Sequence, residues 1–236
     1  GETNSIYHAE GASLKALEKH MIDQGRWLNA PPHGSSMPGF GSLGGLFSAA
    51  AQQIFGDSMD AGKVMGLAPY GTPTIDPGEF FEIRDGRFVF SDDVQKRYAA
   101  PDHWPQHRKA YEDLAASVQN ALEHALLYLV GRVRELSSSR NLVYAGGVAL
   151  NSVANERIIR ETDFDRVYVI PAAEDSGPAI GAAYHGLWHL TGEYTPQAYE
   201  RDAFGTVYSA GQIDSAIAST PAVVARETTD CVSDAA

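Results

Sequence analysis

Cysteine is almost absent. A single Cys231 in 236 residues excludes an internal disulfide and a disulfide-stapled fold, so a reducing cytoplasm is the expected setting. Positive charge is also scarce: 18 Lys and Arg stand against 30 Asp and Glu, for a formal net charge of -12. A nucleic-acid footprint needs a basic face to neutralise phosphates, so no nucleic-acid partner is expected. Long apolar runs are missing too. The oiliest stretch, Ala121 to Val133, is broken by Glu123 and His124, short of the roughly 18 apolar residues a membrane span needs. Gly1-Glu2-Thr3-Asn4 carries neither the basic n-region nor the h-region of a secretory signal. The chain opens without Met, and its Ala/Thr/Val-rich stretch from Ala216 to Ala236 reaches no clear final element. We expect a piece of a longer polypeptide.

What is present is ordinary for a folded domain: 44% hydrophobic and 20% charged residues, enough to bury a sizeable core. Asn4–Glu10 and Ser13–His20 predict two strands joined at Gly11, although Leu14, Leu17 and Met21 also fit a helix. Residues 25–41, rich in Pro, Gly and Ser, predict a loop. Ser42 then caps a helix running to Phe55 and stopped by Gly56. Ala61–Leu67 predicts a short helix leading into the turn Ala68–Gly71, and Asp85-Gly86 predicts a hairpin between Phe80–Ile83 and Arg87–Phe90. Ser91–Gln106 is polar and irregular. Lys109–Leu136 is one long amphipathic helix, with Leu114, Val118, Ala121, Leu122, Ala125, Leu129 and Val133 at helical spacing. A buried strand Asn141–Ala145, a helix Ala149–Glu161, a second buried strand Val167–Ile170 and a small-residue helix Ser176–Leu190 follow. That alternation is the pattern of an α/β layer architecture. Ala210–Thr220 reads as a weak last helix.

Three segments carry potential chemistry. In the first, a strand delivers Gly146 and Gly147 just before a helix. Glycines let a ligand approach the backbone, and free amides at a helix start favour anions. Asn151, expected one turn into that helix, offers a donor and an acceptor. A tight turn with no ligand is the plainer alternative. In the second, Glu174 and Asp175 precede Gly177 and Gly181 where another strand ends. Asp175 suits either a helix cap or a carboxylate at a cleft mouth, able to ligate a metal. Gly181, Ala182 and Ala183 would let the helix pack close to a neighbour. The third is Asp60–Gly71, where Lys63 stands alone in a glycine-rich apolar run. It can neutralise a phosphate or simply be solvated, and the spacing of a P-loop is missing. Open α/β sheets bind ligands at the carboxyl ends of their strands, so the three segments are expected to share one crevice.

These residues resemble a known family. Asp60–Gly71, Ala145–Asn151 and Glu174–Ala183 are similar to three motifs of the carbamoyltransferases that modify antibiotics and nodulation factors, and GKVMGLAPYG is the most specific string. Ser5–Gly11 and Ser42–Phe47 also look like that family, and the resemblance runs from about Thr3 to Gly192. It implies an actin-like (ribonuclease H-like) α/β fold: the second half of a domain similar to the tRNA threonylcarbamoyl-transferases, with an inserted hairpin and long helix. Residues 1–208 would be that partial domain, and residues 209–236 the start of a connection to a YrdC-like domain. The latter makes carbamoyl-adenylate from carbamoyl phosphate and ATP, and the actin-like domain passes the carbamoyl group to a hydroxyl of a small-molecule acceptor. By this resemblance Asp175 matches an aspartate that helps hold an iron ion. Gly146 and Gly147 would hold the adenylate through backbone amides, Asn151 matches a contact position, and Lys63 and Gly71 lie near the same ligand. The family's paired metal histidines would precede Gly1, so this stretch alone is expected to be inactive.

His103/His107 and His185/His189 are His-x-x-x-His decoys. Pro105 breaks the first, and the second reads as the polar edge of a packed helix. Two rival readings are a tRNA threonylcarbamoyl-transferase, disfavoured by the acidic charge and GKVMGLAPYG, and a non-catalytic actin-like nucleotide-binding scaffold.

Overall fold

The computed structural model describes residues 2–21, 41–91, 102–193, 205–222, 224–226 and 228. Cys231, nearly all of the expected loop at 25–41 and most of the irregular stretch at 91–106 lie outside them. The chain forms two compact units, residues 1–200 and 201–236.

At the start of the first unit, β1 (Glu2–Glu10) pairs antiparallel with β2 (Ser13–Met21). Gly11 makes the turn at φ +57°, a left-handed conformation that glycine adopts freely. The strand alternative has prevailed over the helix, because pairing with β1 satisfies the backbone of β2. Leu14 and Met21 stay exposed. The hairpin is tied to the long helix by Glu18 to Arg132 at 2.7 Å and His8 to Ser137 at 3.2 Å.

The core is helical. In α1 (Leu43–Phe55), Leu43, Leu46, Phe47, Ala50 and Ile54 form the buried face. Ser42 Oγ accepts from the Gly45 amide at 2.9 Å, and Gly56 closes the helix at φ 80°. Ser42→Ala should cost about 1 kcal/mol, seen as a lower urea midpoint at unchanged m-value. α2 (Ala61–Leu67) passes through a 3-10 turn at Ala68–Tyr70 into the short α3 (Pro77–Phe80). β3 (Phe81–Arg84) and β4 (Arg87–Phe90) form the expected hairpin around Asp85-Gly86. Phe81, Phe88 and Phe90 cluster there, and Tyr128 meets Phe88 edge-on at 5.7 Å. All of this packs on α4 (Arg108–Leu136), which buries Leu114, Val118, Ala121, Leu122 and Ala125 at the expected spacing.

β5 (Asn141–Tyr144) and β6 (Arg166–Val169) then pair in parallel, with α5 (Ser152–Glu161) crossing between them onto α4. The architecture is α/β. α6 (Gly177–Thr191) follows β6, and α7 (Ala210–Ala218) lies in the second unit, opened by a capping box from Ser209 and Gln212. Three expectations are corrected. β5 and β6 are not buried strands: only Leu142 is buried, and Val143 on the opposite face is 70% exposed. The reason is that, among the described residues, one face of the pair meets the helical core and the other is left open. α6 buries none of its residues, so Gly181, Ala182 and Ala183 make no close helix contact among the described residues. And α5 begins at Ser152, because Gly147–Leu150 winds as a 3-10 turn first.

Candidate functional site

The parallel register sets Tyr144 beside Val169, so β5 and β6 end at the same level. Their loops meet directly. The Gly146 amide donates to the Ala173 carbonyl at 2.6 Å, which joins the Gly146-Gly147 turn to the segment carrying Glu174 and Asp175. Gly146 sits at φ +111°, a backbone conformation for which side chains pay in strain. Gly147 has no such need: a Cβ there would meet nothing within 4 Å. The fold explains the first glycine and leaves the second open for close approach of a ligand. The amides of Gly147 and Val148 have no hydrogen-bond partner among the described residues. Just before the turn, burial pushes the Tyr144 phenol up, and its hydroxyl finds no partner among the described residues.

Asn151 is the N-cap of α5 and not a residue one turn inside it. Its Oδ1 accepts from the Ala154 amide at 3.0 Å, and its side chain is bound to Gln119 on α4. Asp175 is exposed, and its carboxylate has no partner among the described residues. It is not the cap of α6, whose N-cap is Ser176 and which has no side-chain cap bond among the described residues. The Glu174 carboxylate instead accepts from the Ser176 amide at 2.9 Å and from the Ser176 hydroxyl. The Ser176 hydroxyl and amide hold the Glu174 carboxyl below the usual carboxylate range. Gly177 is required by packing, since a Cβ would lie 2.2 Å from the Ala172 carbonyl oxygen.

The GKVMGLAPYG segment stands apart from this pair of turns. Lys63 pairs with Asp60 at 2.7 Å and lies 5.7 Å from the Phe55 ring centroid. Packing and a local ion pair therefore explain the lysine that sequence alone left unexplained. Gly71 abuts α4: its Cβ would fall 1.9 Å from the Glu112 carbonyl oxygen. Met65, Ala68, Pro69 and Gly71 form one wall of an open cleft of about 250 Å³, facing Gln119 on α4 and Val153 on α5. The structure thus joins the Gly146-Gly147 turn, which leads into Asn151, to the loop that carries Asp175, and sets the Lys63–Gly71 segment on a separate cleft against α4 and α5. Gln119 is the residue sequence reasoning missed. Its signal was an amide set among Ala115, Ala116 and Leu122 on the inward face of the long helix.

His103 hydrogen-bonds the Gln53 carbonyl at 3.1 Å, while the His107 ring turns to Tyr111 and Asp102, so the first decoy pair does not converge. The rings of His185 and His189 stack 6.5 Å apart. Among the described residues no three His, Cys, Asp or Glu side chains gather as a metal would require. No helix there is long and apolar enough to cross a membrane.

A sequence family described as carbamoyltransferase N-terminus matches residues 13–184. An uncharacterised Synechocystis protein is 37% identical over 170 residues, covering 63% of this chain and 27% of that protein. Nodulation protein NolNO of Sinorhizobium fredii is 33% identical over 162 residues, 63% of this chain and 23% of its own length. Nodulation protein NolO of Bradyrhizobium diazoefficiens is 34% identical over 161 residues, 63% and 29% respectively. The chain spans about a quarter of the length of these relatives.

Proposed function

Because the chain belongs to the carbamoyltransferase N-terminus family, we propose that it forms part of an enzyme passing a carbamoyl group from carbamoyl-adenylate to a hydroxyl of a small-molecule acceptor. Carbamoyl phosphate and ATP would be consumed by another part of the longer polypeptide. The fold we propose is the second half of an actin-like domain, of which the β5–α5–β6 unit and its paired turns are one portion.

One observation carries this reading: the Gly146-Gly147 turn, held to the Asp175 loop by a 2.6 Å hydrogen bond, leaves open space at Gly147. Unpaired amides there suit the phosphate of an adenylate, because each backbone N–H presents a fixed partial positive charge to an anion. In the reaction the acceptor oxygen bonds to the carbamoyl carbon as the bond to the phosphate oxygen breaks; AMP leaves with that electron pair, and the hydroxyl proton passes to a carboxylate base such as Asp175 or to water. Asp175 offers a carboxylate unencumbered by the fold. Iron is the cofactor the family resemblance implies. The described residues gather no group of three donors, and Glu174 beside Asp175 is already bonded to Ser176. They do not fit a metal centre by themselves, and no step here runs through one.

The test uses the longer polypeptide, supplied with carbamoyl-adenylate and a panel of hydroxylated sugars. Gly147→Val places methyl groups in the open space beside the turn. Transfer should fall about a hundredfold, the scale of a misplaced reactant, while the thermal midpoint stays unchanged. Full transfer by that variant would sink the reading.

A further inference from the structure

Gln119 lies on the inner face of α4 among Ala115, Val118 and Leu122, and is itself only 6% exposed. Its Nε2 donates to Asn151 Oδ1 at 3.1 Å, and Asn151 Nδ2 donates back to Gln119 Oε1 at 2.8 Å. The two amides close a reciprocal pair. Asn151 Oδ1 also accepts from the Ala154 amide at 3.0 Å, and Gln119 Nε2 also donates to Glu123 Oε1 at 2.7 Å. Arg157 holds the other Glu123 oxygen at 2.9 Å. By count, both hydrogens of Gln119 Nε2 and both lone pairs of Asn151 Oδ1 are used, and one Asn151 hydrogen remains.

Capping α5 does not require this. The bond from the Ala154 amide to Asn151 is the cap, and it would stand without Gln119. Burying an amide is costly unless it is paired, and a paired one fixes orientation. Asn151 stands where the Gly147–Leu150 turn becomes α5, so fixing its side chain fixes the exit of that turn.

We infer that Gln119 is a positioning residue for the Gly146–Leu150 turn, acting through its amide pair with Asn151. The inference rests on the carbamoyl-adenylate reading of the turn. In the longer polypeptide, Gln119→Met should raise KM for carbamoyl-adenylate about tenfold, with kcat within about twofold, the signature of lost uniform binding. Gln119→Glu, which sets a carboxylate oxygen against Asn151 Oδ1 and Glu123 Oε1 in place of the donor, should raise KM at least as much. Leu122→Ala, a core truncation on the same face, should lower the thermal midpoint at least as far as Gln119→Met and leave KM alone. An unchanged KM in both Gln119 variants, or an equal rise in Leu122→Ala, overturns the positioning role. A wild-type polypeptide that transfers no carbamoyl group from carbamoyl-adenylate overturns the functional reading, and this inference with it.

Discussion

Gly71→Ala is expected to cost about 3 kcal/mol of folding stability, the upper end for overpacking a tight contact. An added Cβ would lie 1.9 Å from the Glu112 oxygen, 2.2 Å from its carbon and 2.7 Å from the Asp113 nitrogen. All three are helix backbone, so no side chain can swing aside. The segment itself must lift off α4, and it is stitched there by hydrogen bonds. Thr72 donates to Asp113 Oδ1 at 2.7 Å, and Thr74 and Ile75 donate to the buried Ser117 hydroxyl at 3.0 and 3.2 Å. Gly66, five residues earlier in the same motif, is the control. A Cβ there meets nothing within 4 Å, and Gly66→Ala within α2 should stabilise by about 0.5 kcal/mol. Urea unfolding of both variants separates a packing glycine from a ligand-facing one. If Gly71→Ala shifts the midpoint no more than Gly66→Ala, the close approach to α4 is wrong.

That contrast shows what a sequence reveals and what it hides. Periodicity read the elements well, since the apolar spacing of α1 and α4, the Asp85-Gly86 turn and the β5–α5–β6 alternation are local or nearly so. It also foresaw that two successive strand ends would meet, because a parallel pair joined by one helix brings both ends to the same edge. What it could not supply was the reason for each glycine or polar residue. Gly71 answers to a helix far along the chain, Gly146 to its own dihedral angle, and Gly147 to neither. Lys63 looked unexplained only because Phe55 and Asp60 were not known to sit beneath it. The apolar strands were read as buried because Leu142 and Val143 point to opposite faces, a pattern written for cover on both sides. Here the described residues cover one. Asn151 was misplaced for a simpler reason. A 3-10 turn and the first turn of an α-helix share the same composition, and only the hydrogen-bond partner of the side chain tells them apart.

Asp175→Ala in the longer polypeptide is expected to abolish carbamoyl transfer from carbamoyl-adenylate while adenylate formation continues. The prediction is clean because the fold makes no use of this side chain. Its carboxylate is exposed and unpaired among the described residues, so removal should leave the urea midpoint where it was. Its neighbour behaves in the opposite way. Glu174 accepts two hydrogen bonds from Ser176 at the start of α6, so Glu174→Ala should loosen that helix start and lower stability. Two adjacent carboxylates thus divide into one spent on structure and one left over. The carboxylate with no partner among the described residues lies two residues beyond the carbonyl that accepts the Gly146 amide, which is why the prediction rests on Asp175 and not on Glu174. Removing a group that touches the reacting atoms typically costs a hundredfold to a thousandfold or about 3 to 4 kcal/mol in barrier height. Transfer that survives Asp175→Ala at wild-type rate would remove Asp175 from the site. A matching loss of adenylate formation would place its role elsewhere in the reaction.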